Sequence, residues 1–386
     1  MRNKEYLFLC STEYAIFNSI NAVLQNVGGC KGYADIAIFH RTKNTISISK
    51  RLREKKIFSE VYDFSFFGTN NTITLLMLLA FPKYFLNKVC FYGQSFCSKK
   101  NAYRVLVSQN YLFASLFLRI YRKATVFFIE DGLSSYTGRT VEPKRRSSSF
   151  TLANKIIFKG ALEVQKQLLY KPEMYTGSAY CIEELQIPET KNKNFFNLIF
   201  GYKDNTLYKV HKFVYLGTPY YGLKDLMINS DDARDNLEYR SRHIVDTMLK
   251  GTKENRFIYR EHPLESVDKD CYKELCEFDL YNNVWEIECQ NTITNQHILV
   301  SFFSTALFSP KILYGKEPYL IFLYKILGIE LFKANELISS LKSAYINPEK
   351  IILVKNIDEL SVVIEKLDSL QEFNDFRQAN KSESVR

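Results

Sequence analysis

Residues 5–39 read EYLFLCSTEYAIFNSINAVLQNVGGCKGYADIAIF. Two short apolar runs, EYLFLC and ADIAIF, bracket a segment whose apolar residues recur at helical spacing (Ala15, Ile16, Ile20, Val23, Leu24). Ser11 or Thr12 is placed to cap that helix, and Gly28 with Gly29 to stop it. Strand, helix, strand in this short a span predicts a parallel strand pair, the unit of a doubly wound α/β sheet.

The same alternation continues along the chain. VCFYG (89–93) and ATVFFIE (124–130) read as strands, with NAYRVLVSQNYLFASLFLRIYRK (101–123) as a helix between them. Residues 140 to about 200 are less regular, and a domain crossing is expected near 195–210. A second series then begins. KFVYLG (212–217), RFIYR (256–260), NVWEIE (283–288) and HILVSFF (297–303) read as strands. SDDARDNLEYRSRHIVDTMLKG (230–251) reads as a helix with Ser230 as cap, Asp231 and Asp232 in its first turn and Gly251 at its end. IILV (351–354) precedes a last amphipathic helix, NIDELSVVIEKLDSL (356–370). The expected fold class is α/β, with two Rossmann-like doubly wound domains over residues 1–200 and 201–386. Ligands of such sheets bind outside the carboxyl ends of the strands, so a cleft between facing strand ends is the expected site.

Composition bounds the chemistry. The 386 residues carry 46% hydrophobic side chains and a formal net charge of +10. That charge suits an anionic partner such as nucleic acid, anionic lipid or a phosphate-bearing substrate. Basic residues gather in CSKKNAYR (97–104) and TGRTVEPKRRSSS (137–149), either as a solvated face or as a peripheral contact with an anionic inner membrane. Acidic turns at sheet edges would repel a phosphate backbone, so nucleic acid is not the expected partner. The eight cysteines include no C-x-x-C pair and read as reduced core thiols of a cytoplasmic protein. The N-terminus lacks the pattern of a secretory signal. The most apolar window, ITLLMLLAFPKYFL (73–86), is too short to span a bilayer and is interrupted by Pro82.

A few residues stand where chemistry is done. In FFIEDGLSSYTG (127–138), Glu130 and Asp131 end an expected buried strand. Two adjacent carboxylates repel, so they are either a solvated turn or proton acceptors with a raised proton affinity. His262 in YREHPLE follows another strand, either as a turn histidine or as a group that donates a proton near neutral pH. Ser301, Ser304 and Thr305 in VSFFSTALF follow a third and either cap a helix or hold an anion at its start. Glu286 and Glu288 alternate along NVWEIE, where same-face carboxylates either hold a ribose or lie on a solvated strand face. The D-x-D tripeptide in VDKD (267–270) has no second acidic cluster nearby, so no metal is expected.

The order of these elements resembles that of bacterial sialyltransferases, specifically glycosyltransferase family 52. The matching residues are Glu130-Asp131-Gly132, His262-Pro263, Glu286, and Ser301 through Leu307 with Ser304 and Thr305. FLCSTEYAIFNSI (8–20) looks like that family's first strand and helix, and LGTP (216–219), with Gly217 and Thr218, like the start of its second domain. The resemblance implies a GT-B fold and an inverting, metal-independent reaction without a cofactor. CMP-sialic acid would be held mainly by the second domain, and the acceptor would be a galactose-type hydroxyl of a bacterial surface glycan, lipooligosaccharide or capsule. On that reading Asp131 is the base, Glu130 its neighbour, and His262 with Ser304 and Thr305 meets the leaving phosphate. One departure stands out. Some members carry an Asp just after the second-domain turn, where this chain has Tyr220 and Tyr221, with Asp225 farther on. Two other functions fit less well: transfer from a different nucleotide sugar, and a non-catalytic basic membrane-binding protein.

Overall fold

The computed structural model describes residues 5–65, 84, 103–109, 111–137, 164–177, 181–219, 223–224, 226–228, 236–251, 257–263, 265 and 272–369. Outside them lie the strand expected at 89–93, most of the apolar window and of both basic clusters, the D-x-D tripeptide in VDKD, Tyr220, Tyr221, Asp225, and the cap residues Ser230, Asp231 and Asp232. The chain divides into two compact units, Met1–Gly201 and Tyr202–Arg386.

The first unit holds a parallel sheet of seven strands: β1 (Tyr6–Cys10), β2 (Ala34–His40), β3 (Val61–Ser65), β4 (Val105–Ser108), β5 (Thr125–Ile129), β6 (Val164–Leu169) and β7 (Cys181–Glu184). Their spatial order is β3-β2-β1-β4-β5-β6-β7. The expected opening is present. Helix Glu13–Leu24 joins β1 to β2, and Thr12 caps it by accepting a hydrogen bond from the Ala15 N–H. The helix stops earlier than Gly28, because Asn26 takes the left-handed conformation (φ 56°).

Two expectations are overturned here. Residues 101–123 are not one helix: Val105–Ser108 is β4, paired with both β1 and β5, and only Tyr111–Leu118 is helical. Val105 and Val107 are β-branched and fit a central strand that is covered on both faces. The stretch after 140 is also more regular than it reads, since it contains β6, β7 and helix Lys193–Phe200.

The second unit holds six parallel strands: β8 (Phe213–Leu216), β9 (Phe257–Arg260), β10 (Cys276–Phe278), β11 (Ile298–Ser301), β12 (Tyr319–Phe322) and β13 (Ile351–Leu353). They lie in the order β10-β9-β8-β11-β12-β13. Counted from the first strand of each unit, the second sheet runs 3-2-1-4-5-6, the doubly wound dinucleotide-fold order, and the first runs the same with a seventh strand added at its end. Each unit is therefore Rossmann-like. Leu237, Ile244, Val245, Met248 and Leu249 are the buried face of helix Leu237–Lys250, as their spacing predicts. NVWEIE does not form a strand. Trp285–Asn291 is a helix, so Glu286 and Glu288 sit about 200° apart around its axis and share no face.

Among the described residues no helix is long and apolar enough to cross a membrane. Cys10, Cys30, Cys276 and Cys289 are buried free thiols, and burial pushes Cys10, Cys30 and Cys276 up to about 12.

Phe39 anchors the first unit's core. Its ring stacks on Phe113 (4.3 Å between centroids) and Phe64 (4.9 Å) and meets Phe117 edge-on. Phe39→Ala should cost about 3–5 kcal/mol. Urea unfolding should show the loss in the transition of the first unit, with that of the second unit unmoved.

Candidate active site

In the first sheet the order reverses between β1 and β4, and the crevice opens outside their carboxyl ends. Ser11 and Gln109 bridge that point: the Ser11 N–H donates to Gln109 Oε1 (2.9 Å), and Gln109 Nε2 donates to Ser11 Oγ (2.7 Å). Glu130 and Asp131 follow β5, the next strand over.

The two carboxylates have opposite environments. Glu130 is 1% exposed. The Tyr14 hydroxyl donates to its Oε1 (2.6 Å), and the Tyr136 hydroxyl and the Tyr170 N–H (3.1 Å) donate to its Oε2. Its own carbonyl accepts from Asn18 Nδ2 (2.8 Å). Burial pushes the Glu130 carboxyl up to about 7, against the pull of those three donors and with a push from the Asp131 charge. A side chain this enclosed anchors the turn, so Glu130 is not part of a solvated turn.

Asp131 is half-buried. Its N–H donates to Ser135 Oγ (2.8 Å), and its Oδ1 accepts from the Thr12 hydroxyl (3.3 Å). Burial lifts its carboxyl to about 6, opposed by Thr12 and the Arg41 charge. Gly132 makes the arrangement possible: φ 84° and ψ −161° suit glycine alone, and they turn the chain so that Leu133–Tyr136 returns Ser135 and Tyr136 to the acidic pair. Thr12 caps a helix and also orients Asp131; the sequence signals only the first role.

The second sheet reverses between β8 and β11. The Ser301 hydroxyl donates to the Leu216 carbonyl (2.8 Å), so the Thr218 hydroxyl is the donor in the 2.9 Å contact between the two side chains. Both groups are buried. Ser301 and Thr218 thus latch the Gly217–Thr218 turn to the end of β11, and their hydrogens are spent inside the fold. They brace the turn against the sheet at the crevice.

His262 follows β9, with Pro263 exposed beside it. Burial drops the imidazole to about 4, so it is neutral at pH 7. A neutral imidazole can donate a hydrogen bond but has no extra proton to give up. Arg260, one residue before the turn, is committed elsewhere: it pairs with Asp279 and lies over the Trp285 ring (5.1 Å to the centroid). Trp285 Nε1 in turn donates to the Ala306 carbonyl (2.8 Å), which moors the segment carrying Ser304 and Thr305. Ser304 caps the short turn Thr305–Leu307 by accepting from the Ala306 N–H (3.3 Å), and both Ser304 and Thr305 remain half-exposed. Glu286 is buried in the first turn of helix Trp285–Asn291. Glu288 is held by Asn283 (2.8 Å) and Thr292 (2.7 Å), so no carboxylate pair faces a ribose.

Glu265 was not singled out in the sequence. It accepts from the Tyr259 hydroxyl (3.1 Å) and the His262 N–H (3.2 Å), and burial pushes its carboxyl up to about 7. Its three-residue offset from His262 in YREHPLE is the only signal. Among the described residues no group of three or more His, Cys, Asp and Glu side chains is arranged to hold a metal ion.

No protein-family profile and no curated protein matches the chain. Among solved structures it is similar to S. aureus MnaA bound to UDP, at 11% identity and a TM-score of 0.49, over 97% of this chain and 90% of that one. It is also similar to UDP-N-acetylglucosamine 2-epimerase from Rickettsia bellii (11%, 0.45, 95% and 96%) and to a sialyltransferase from Photobacterium damsela (10%, 0.44, 91% and 81%).

The raised Glu130 carboxyl has a measurable consequence. A group lifted from 4.5 to about 7 on folding contributes stability that is complete below pH 4.5 and is lost as pH rises through 7. Glu130→Gln should therefore flatten the decline in stability across that window, as read by urea midpoints at each pH. An unchanged slope would mean that Glu130 is not titrating there.

Proposed function

We propose that the chain is a nucleotide-sugar glycosyltransferase. At the finer level we propose that it moves sialic acid from CMP-sialic acid to a galactose-type hydroxyl of a bacterial surface glycan, with inversion and without a metal. The observation that carries the reading is Asp131: a half-buried carboxylate at a strand's carboxyl end, oriented by Thr12 and lifted to about 6. A base of that strength is mostly ionised at pH 7 yet holds a proton better than a surface aspartate.

The acceptor oxygen attacks the anomeric carbon of the donor sugar, and Asp131 takes the hydroxyl proton. The bond from that carbon to the phosphate oxygen breaks, and its electron pair leaves with CMP. The sugar passes through an oxocarbenium-like state. Negative charge grows on the departing phosphate. The neutral His262 imidazole meets it with an N–H, and the half-exposed Ser304 and Thr305 hydroxyls add donors. The phosphate of CMP leaves as an already stable anion, so hydrogen bonding suffices and no imidazolium is needed. Gly217 and Thr218 shape the turn beneath the donor, and Pro263 stiffens the His262 loop. Glu286, though buried, stays part of the proposed donor pocket through the helix that moors residues 304–306.

The test is an assay of free CMP and sialyllactose from CMP-sialic acid and lactose, run beside UDP- and GDP-sugars. Asp131→Asn should lower turnover by about 10²–10⁴-fold, and His262→Ala by about 10²–10³-fold. Wild-type turnover should fall as pH drops through about 6, where Asp131 takes up a proton. Release of UDP or GDP in place of CMP would keep the transferase and reject the sialyl donor; full activity in Asp131→Asn would reject the base.

A further inference from the structure

Glu265 sits where two strand ends meet. β8 and β9 pair in register, Leu216 beside Arg260, and the Gly217 N–H continues the ladder to the Arg260 carbonyl (2.9 Å). The chain then folds back, so that Glu265 engages both backbone polar groups of His262. Its N–H donates to the His262 carbonyl (2.9 Å), and its Oε2 accepts from the His262 N–H (3.2 Å). Its Oε1 accepts from the Tyr259 hydroxyl on β9 (3.1 Å). The carboxyl has room only because residue 217 is glycine: a Cβ there would overlap Glu265 Oε2 and lie 3.0 Å from the His262 nitrogen.

We propose that Glu265 is the positioning residue for His262, a carboxyl seated on Gly217 that locks the backbone of the His262 turn and so fixes where the imidazole meets the donor phosphate. The role rests on the function proposed above. Each carboxyl oxygen already accepts a hydrogen bond, one from β9 and one from the turn, so Glu265 acts through His262 and not on the substrate. The charges around it are those of Glu261, which favours protonation, and Arg242, which opposes it; its hydrogen-bonding neighbours are Tyr259 and His262.

Charge is not what the lock requires. In Glu265→Gln the amide oxygen accepts from the His262 N–H, and the amide NH2 donates to the Tyr259 hydroxyl, which rotates to accept. Geometry survives while the ionisable group is gone. In Glu265→Ala both bonds are lost, and the turn is free to shift by the ångström that costs about 10²-fold in a positioned site.

The experiment reads two quantities in wild type, Glu265→Ala, Glu265→Gln and Tyr259→Phe. The first is turnover with the active donor. The second is the proton titration of the His262 imidazole by NMR, assigned by loss of its signal in His262→Ala. The titration needs no substrate. Wild-type His262 should titrate near 4. In Glu265→Ala the released imidazole should move toward the ordinary 6.5, with turnover down roughly 10- to 100-fold. Glu265→Gln should stay near wild type in both. Tyr259→Phe, which removes one hydrogen bond and spares the fold if the alanine variant does not, should shift both in the same direction by less. Two results would overturn the proposal: a Gln variant as impaired as the Ala variant, which would make the Glu265 proton the active agent, or a His262 titration unmoved in Glu265→Ala and Tyr259→Phe alike. A shifted titration in a protein that turns over no nucleotide sugar would uphold the lock and reject the transferase.

Discussion

The Glu130 carboxylate, shut away from water behind β5, organises the first unit's site. Such a group is tolerated only with its oxygens occupied, because an isolated buried charge costs many kcal/mol. Its donors come from three separate parts of the fold: Tyr14 from the helix after β1, Tyr136 from the turn after Gly132, and the Tyr170 N–H from the end of β6. Moving any of them leaves a buried carboxylate short of a partner. The cage therefore fixes three strand ends relative to one another, and with Glu130 so held, Asp131 is the member of the pair left half-exposed at the strand end. An acidic pair that looks self-defeating in sequence is a division of labour. Burial raises the proton affinity of both; one holds the turn, and the other keeps a partly open face.

The second unit uses hydroxyls for the same purpose. Thr218 and Ser301 close the reversal point between β8 and β11 through the Leu216 carbonyl. Beside it, Tyr259 and Glu265 hold the turn that carries His262. In both units the groups proposed to react are few, and most polar side chains near them are occupied in holding the backbone. The proton affinities follow from that enclosure. Burial raises the Asp131 carboxyl and lowers the His262 imidazole, which favours the neutral form of each. Near neutral pH this leaves a stronger base in one unit and an uncharged hydrogen-bond donor in the other.

Much of the fold was legible in the sequence because parallel strands covered on both faces give short, nearly continuous apolar runs. β1, β2, β5, β8, β9 and β11 all show them. β4 was hidden because VLVS merges with the apolar helix that follows it, and only its β-branched valines distinguish the two. β6 and β7 were missed because Lys166, Gln167 and the polar CIEE of β7 dilute the apolar signal; Gln167 is buried despite its polarity. NVWEIE misled in the opposite direction. Its alternation is too short to separate a strand from a helix, and burial of Trp285 between the Arg260 guanidinium and the Ala306 carbonyl accompanies the helix. The sequence marked Asp131 and His262 at strand ends, and the structure places each at a strand end of its own unit. It could not show which hydroxyls are consumed internally, because Ser301 and Thr218 differ from Ser304 and Thr305 only in what they touch.

Enclosure at the strand end, and not a solvated turn, sets the proton affinity of Asp131. Carbon-13 NMR titration of the side-chain carboxyls, with Asp131 assigned by the signal missing from Asp131→Asn, measures that affinity directly. The expected midpoint for Asp131 is near 6. A midpoint at the ordinary 3.8 or below would make the residue a plain surface carboxylate and would contradict the account.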